Sequence, residues 1–160
     1  MDYVHKESCG ECVFCREGTL QLYEILNDGT IGKNESDDLE LLEDIALRVR
    51  DNASCEMAVT AAAAFLDLFQ AYPEEFELHF KRKRCTALEC KAYYSVHIMP
   101  DKCTGCGECL PKCPEGAISG SEGMIHVIDQ NKCTRCDSCI AVCQPLHQAI
   151  QKAGAVKPKT

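Results

Sequence analysis

Cysteine recurs at one spacing three times, as Cys9-x2-Cys12-x2-Cys15, Cys103-x2-Cys106-x2-Cys109 and Cys133-x2-Cys136-x2-Cys139. Nothing else in the chain restricts its fold as strongly. Two intervening residues let a tight loop aim successive sulfurs at one object, whereas a regular strand or helix would turn them to different sides. Further cysteines follow downstream, Cys55 after the first triplet and Cys113 and Cys143 after the other two. Four thiolates per group, three of them in a single run, suit a 4Fe-4S cube. Zinc also takes four cysteines, so a zinc-organised structural or interaction module is the rival reading; it predicts a colourless protein.

The two later triplets close with Cys113-Pro114 and Cys143, each three residues beyond a Cys-x2-Cys-x2-Cys run, which is the pattern of bacterial two-cluster ferredoxins. In that arrangement the fourth cysteine of each run crosses to the other cluster. Cys103, Cys106, Cys109 and Cys143 are thereby assigned to one 4Fe-4S site, and Cys113, Cys133, Cys136 and Cys139 to the other. The surrounding sequence repeats as well. Val96-His97-Ile98-Met99 precedes the first run and Ile125-His126-Val127-Ile128 the second, while Ala117-Ile118 and Ala149-Ile150 follow the closing cysteines. Each half is expected to read strand, cluster loop, short helix, strand. The second half is two residues longer between its last cysteine and the Ala-Ile pair, so the two clusters need not share one potential.

Fourteen cysteines in 160 residues would also fit a secreted disulfide scaffold. Met1 to Ser8, however, carries His5, Lys6 and Glu7 and no apolar signal core, which points to a reducing cytoplasm; an anaerobic setting is expected for iron–sulfur chemistry of this kind. The most apolar stretch, Met57 to Tyr72, is too short and too interrupted to span a bilayer. The formal charge of −8 becomes more negative once clusters load, because each oxidised cube with its thiolates adds about −2. No nucleic-acid partner is expected for such a surface.

Residues 1–84 are expected to be helical. Leu20, Leu22, Tyr23, Ile25 and Leu26 mark a helix from about Arg16 to Asn27, closed by Asp28-Gly29. Asp37 and Glu40 resemble a capping pair for a helix to Arg50, with Leu42, Ile45, Ala46 and Val49 as its apolar face. A third helix runs from about Cys55 to Gln70, and Pro73 opens a fourth, where its missing amide is harmless. The basic run Lys81-Arg82-Lys83-Arg84 reads as a solvated helix end opposite Glu74, Glu75 and Glu77. A docking patch for an acidic partner is the sharper alternative.

The segment Glu7-Ser8-Cys9-Gly10-Glu11-Cys12-Val13-Phe14-Cys15-Arg16-Glu17-Gly18, with the distant Cys55, resembles the cubane-binding helical domain of the NADH-binding flavoprotein subunit of respiratory complex I. The same domain occurs in the diaphorase subunits of multimeric iron-only and NADP-reducing hydrogenases, and a two-cluster ferredoxin behind it resembles the hydrogenase type in particular. The resemblance implies that Cys9, Cys12, Cys15 and Cys55 hold a 4Fe-4S cluster that accepts electrons from a flavin on a neighbouring chain. In that family the flavin and nicotinamide sites lie in a glycine-rich α/β domain, and no Gly-x-Gly-x-x-Gly cradle occurs in this sequence. The implied role is a non-catalytic electron-transfer subunit between a flavin- and NAD(P)H-binding partner and ferredoxin or a hydrogenase-type subunit. A fragment of a flavin-dependent NAD(P)H dehydrogenase is the alternative from the enzyme class.

Twelve ligands leave Cys85 and Cys90 over. His79-x5-Cys85-x4-Cys90 has metal-ligand spacing, and imidazole with two thiolates suits a structural zinc ion. His97, His147 or a partner subunit would supply the fourth ligand. Two ordinary free thiols beside a surface histidine fit equally well. His5, His97 and His126 otherwise read as ordinary polar residues. The expected architecture is α+β: a four-helix bundle carrying one 4Fe-4S cluster over residues 1–84, a hinge with a zinc site over 85–93, and a two-4Fe-4S ferredoxin-like domain with a short tail over 94–160.

Overall fold

The computed structural model describes residues 1–154 and divides into two compact units, Met1–Thr86 and Ala87–Thr160. The division falls within the stretch expected as a hinge. The tail beyond Gly154 lies outside the described residues. None of the helices is long and apolar enough to cross a membrane, among the described residues.

The first unit is helical. It comprises α1 (Asp2–Lys6), a π-turn at Phe14–Gly18, α2 (Thr19–Ile31), α3 (Asp38–Asn52), α4 (Glu56–Ala71) and α5 (Pro73–Phe80). The apolar face expected for α3 is the buried one: Leu42, Ile45, Ala46 and Val49 all lie inside. They meet Ala58, Ala62, Phe65 and Leu66 of α4 in one core, where alanine on α4 lets the two helices approach closely. Phe65, Phe69 and Phe76 close the α4–α5 corner, with ring centroids 4.9–5.8 Å apart and the Phe65–Phe76 pair edge-on.

Four expectations about these helices are corrected. The first long helix does not stop at Gly29 but continues to Ile31, and Gly32 caps it in the left-handed conformation at φ 81°. Gly29 sits inside the helix because the Phe80 ring packs on it; a Cβ there would come within 2.7 Å of Phe80 Cζ. The Arg16–Gly18 start belongs to the π-turn rather than to the helix proper. At α3 the Asp37 carboxylate makes no capping bond; Asp38 instead accepts the Glu35 N–H at 2.7 Å, and Ser36 Oγ donates to Asp37. Nor is Lys83 simply a solvated charge, for its ammonium donates to Asn34 Oδ1 at 2.6 Å and to the Asn34 carbonyl. Asn34 Nδ2 in turn donates to the Phe80 carbonyl at 3.1 Å, which joins the chain after α2 to the end of α5.

Gly18 faces Val49 so closely that a Cβ would overlap Val49 Cγ2. Gly18→Ala is therefore expected to cost about 1–3 kcal/mol by overpacking, read as a lower urea midpoint of the helical transition. A midpoint equal to that of the parent would show that α3 yields freely here.

The second unit holds a 3-10 turn at Lys91–Tyr93, β1 (Tyr94–Ile98), β2 (Ile118–Ser119), β3 (Val127–Ile128), α6 (Ser138–Cys143) and β4 (Ile150–Gly154). Antiparallel β1 pairs with β4, and β2 with β3. The chain ends of one half are thus tied across the other, and Tyr94, Val96, Ile118, Ile128, Ile140 and Ile150 fill the core. The short helix expected in each half forms only in the second. There Ala141 donates its N–H to the Asp137 carbonyl at 3.1 Å. Pro111 stands at the matching position of the first half and has no N–H to give, so Gly107 to Cys113 close as successive turns instead.

Candidate metal centres

In the helical unit Cys12, Cys15 and Cys55 converge on one end of the core. Cys15 is buried at 1% exposure among the core side chains. Its carbonyl accepts the Thr19 N–H that closes the π-turn and also Thr19 Oγ1, which donates at 2.5 Å from a fully buried position. Such π-turns concentrate at functional sites. Cys55 stands at the N-cap of α4 in extended conformation and makes no side-chain capping hydrogen bond. The N–H groups of Ala58 and Met57 pull the Cys55 thiol below its ordinary range. Cys12 Sγ accepts the Ser54 N–H at 3.4 Å across 42 residues of sequence, and that bond lowers the Cys12 thiol. Burial pushes Cys15 the other way, and Ser8 Oγ lies 3.4 Å from its sulfur. Cys9 is exposed, with Gly10 beside it in a left-handed turn at φ 83° and the Gly10 carbonyl held by Arg16 Nη1 at 2.6 Å.

Two cavities of the ferredoxin-like unit are lined by cysteines. Cys103, Cys106, Cys109 and Cys143 line one together with Ile98, His126 and His147. Cys113, Cys133, Cys136 and Cys139 line the other together with Val96, Arg135 and Asp137. In each cavity the third cysteine of the run is the buried one: Cys109 at 7% and Cys139 at 8% exposure. Desolvation raises the Cys109 thiol and, with the neighbouring Cys133, pushes Cys139 up to about 11. Cys136, on the exposed rim, is lowered by Ser138.

The two cluster loops share one backbone path on different side chains. Gly105 and Gly107 are left-handed at φ 73° and 78°, and thirty residues on Arg135 and Asp137 are left-handed at 56° and 62°. Gly105 also needs space, since a Cβ would lie 2.6 Å from the Gly123 and Met124 backbone. For Arg135 and Asp137 the conformation costs about 1–2 kcal/mol each, and local contacts offset it. Asp137 pairs with Lys152 at 2.8 Å and takes part in a 3.4 Å contact with Tyr94 Oη, and Arg135 Nη1 donates to the Lys91 carbonyl. The two additional residues after Cys143 are taken up in a turn with Gln148 left-handed. The same bond then forms in both halves: Ala117 N–H donates to Cys113 Sγ at 3.2 Å, and Ala149 N–H to Cys143 Sγ at 3.3 Å.

These donor sets fit iron–sulfur chemistry. Each ferredoxin cavity presents four thiols, soft ligands, with one backbone amide already aimed at the fourth sulfur, and cluster sulfurs are stabilised by amide donors of this kind.

Outside these groups, His79 and Cys85 both belong to the helical unit and their ligand atoms lie within 4.8 Å of each other. Nδ1 of His79 donates to the Glu75 carbonyl at 2.8 Å, so the ring lone pair lies on Nε2. Cys90, half-buried, precedes the Lys91–Tyr93 turn and accepts the Tyr93 N–H on its carbonyl. Of the residues named as a fourth ligand, His97 is exposed and bonds Ser95 Oγ at 2.7 Å, and His147 lies 3.3 Å from Thr104 Oγ1.

His126 is more than the ordinary polar side chain expected from the sequence. It is buried at 1% exposure on the wall of a cysteine cavity, with Nδ1 3.8 Å from Cys103 Sγ. Counting back from the first cysteine of each run would have found it, because His126 stands seven residues before Cys133 as the apolar Val96 does before Cys103.

The profile of the NADH-ubiquinone oxidoreductase-F iron-sulfur binding region matches residues 1–79, and that of the 4Fe-4S binding domain matches residues 96–119. Among curated proteins, the chain is 37% identical over 126 residues to the HndC subunit of the NADP-reducing hydrogenase of Solidesulfovibrio fructosivorans, covering 79% of this chain and 26% of that relative. It is 37% identical over 83 residues to the F-type subunit of the NADH-quinone oxidoreductase of Streptomyces coelicolor, covering 52% of this chain and 18% of the relative. It is 42% identical over 71 residues to the beta subunit of the NADP(+)-dependent formate dehydrogenase of Moorella thermoacetica, covering 44% of this chain and 10% of the relative. The chain thus spans about a quarter or less of the length of these relatives. In its cysteine-bearing helical region and the 4Fe-4S domain that follows, the chain belongs to the iron–sulfur part of the family of NADH-binding flavoprotein subunits found in respiratory complex I and the NADP-reducing hydrogenases.

Proposed function

We propose that this chain is an electron relay with three 4Fe-4S clusters, carrying single electrons between a flavin- and NAD(P)H-binding partner and ferredoxin or a hydrogenase-type subunit. The observation that carries the reading is the pair of cavities each lined by four cysteines drawn from both halves of the repeat. Cys9, Cys12, Cys15 and Cys55 form the third set, held in a bundle made by α2 to α5. When bound, such clusters supply reversible one-electron chemistry without proton bookkeeping. The chain's own residues do the rest. The buried Cys15, Cys109 and Cys139 seat each set against the core and away from water. Backbone N–H groups of Ser54, Ala117 and Ala149 hold Cys12, Cys113 and Cys143 as charged acceptors. No bond of a substrate is made or broken here. The test is anaerobic reduction of the reconstituted chain by a flavoprotein with NADH or NADPH, followed as bleaching of the cluster absorbance. A colourless chain lacking iron and sulfide after reconstitution would sink the reading.

We further propose that His79, Cys85 and Cys90 bind one zinc ion as an architectural staple. The His79 tautomer, with Nδ1–H on a carbonyl and the lone pair on Nε2, supports this, as does the approach of His79 to Cys85. With a fourth protein ligand completing the tetrahedron, the site would be closed and leave no position for substrate. Metal analysis of the purified protein is expected to give about one zinc beside about twelve iron. Cys85→Ser is expected to remove the zinc and leave the iron; twelve irons with no zinc in the parent protein would remove the proposal.

A further inference from the structure

The internal repeat contains its own control. Cys103 donates its N–H to the Met99 carbonyl at 3.0 Å and Cys133 donates to that of Asp129 at 3.1 Å, so Met99 corresponds to Asp129 and, three residues earlier, Val96 to His126. Both are buried, at 0% and 1% exposure. They face opposite cavities: Val96 lines that of Cys133 and its partners, His126 that of Cys103 and its partners. One position of the fold thus presents methyl groups to one cysteine set and an imidazole to the other. The sheet provides room for the larger ring. The β2–β3 register, Ile118 with Ile128 and Ser119 with Val127, continues to Gly120 across from His126, and a Cβ at Gly120 would lie 2.6 Å from the imidazole. The residue across from Val96 is Lys152.

We infer that His126 donates its Nδ1–H to the Cys103 thiolate and so sets the cluster of Cys103, Cys106, Cys109 and Cys143 at a higher potential than its neighbour, making it the electron-accepting end of the pair. The inference rests on the reading that these cysteines hold 4Fe-4S clusters. Among the described residues His126 Nε2 is buried without a partner. An empty lone pair there costs less than an orphaned N–H, so the proton belongs on Nδ1, 3.8 Å from the sulfur. Each cluster takes one electron from the reductant, and no bond forms or breaks; the added negative charge spreads onto the thiolates, so an N–H donor stabilises the reduced state more than the oxidised one. Burial strengthens the effect. The backbone bonds to Cys113 and Cys143 are matched at 3.2 and 3.3 Å and cancel between the halves. Near the second cavity Arg135 and Asp137 contribute one charge of each sign, and Glu108 at the first is exposed to solvent.

The experiment is a redox titration of the anaerobically reconstituted full chain, followed by electron paramagnetic resonance, for the parent, His126→Val and Gly120→Ala. The parent is expected to show two separated one-electron steps for the ferredoxin pair. His126→Val, which copies the Val96 half, should lower the upper step alone. At a fixed poise the reduced-to-oxidised ratio of that cluster should fall roughly fivefold to tenfold, tenfold being 59 mV for one electron. The N-terminal cluster should not move. Gly120→Ala keeps the imidazole but drives it from the sulfur, and should shift the same step in the same direction. Coincident steps in the parent, an unchanged gap in loaded His126→Val, or a shift of the lower step instead would overturn the inference. A parent chain that loads no clusters would overturn the functional reading from which it starts.

Discussion

Cys12→Ser should strip the N-terminal cluster from the helical unit while the ferredoxin pair stays loaded, leaving about eight of about twelve irons. Cys12 is chosen because it is only partly buried, packed against the edge of the core, whereas Cys15 is buried among Leu22, Leu42 and Val49. Its replacement therefore removes a ligand without opening a large cavity. The lost sulfur is the one that accepts the Ser54 N–H beside Cys55, so the segment before α4 also loses its tie to the first cysteine run. Electron paramagnetic spectra of the reduced protein should lose one cluster signal and keep the coupled spectrum of the pair. Simultaneous loss of all three signals would contradict assignment of the clusters to separate modules, and retention of all three would remove Cys12 from the ligand set.

Leu42→Ala should be the most damaging change in the helical core. Leu42 is fully buried on α3, in the cluster that also contains Cys15 and the α4 residues Ala58, Ala62 and Phe65. Deleting a buried leucine side chain costs about 2–5 kcal/mol, through lost transfer energy and the cavity left behind. With a denaturant slope of about 1–3 kcal/mol per molar urea, the helical transition should move down by roughly 1 M or more. Because Cys15 shares that core, the N-terminal cluster should also yield its iron to a chelator faster than in the parent. A shift within a few tenths of a molar would mean that α2 and α4 close over the gap.

Helix placement followed periodicity closely where an apolar face had to meet a partner, as in α3, and poorly at the ends. Gly29 looked like a terminator because glycine after an apolar run usually is one. It lies inside α2 because Phe80, fifty-one residues later, needs the space, and the left-handed cap falls to Gly32. The repeat in the second half was equally visible, yet Pro111 denies the first half the helix that Ser138–Cys143 forms in the second.

What the amino-acid sequence determined by itself was the sulfur inventory: which cysteines can share one object, because two-residue spacing keeps neighbouring thiols within a single loop. Tertiary structure alone decided how each sulfur is surrounded. It buries Cys109 and Cys139 and leaves Cys106 and Cys136 on the rim, holds Arg135 and Asp137 in the backbone conformation that Gly105 and Gly107 adopt freely, and sets His126 against one cavity and Val96 against the other. The physical reason is that ligand convergence is a local property of chain geometry. Burial and hydrogen bonding to a sulfur depend instead on the pairing of strands and core side chains far apart in the chain.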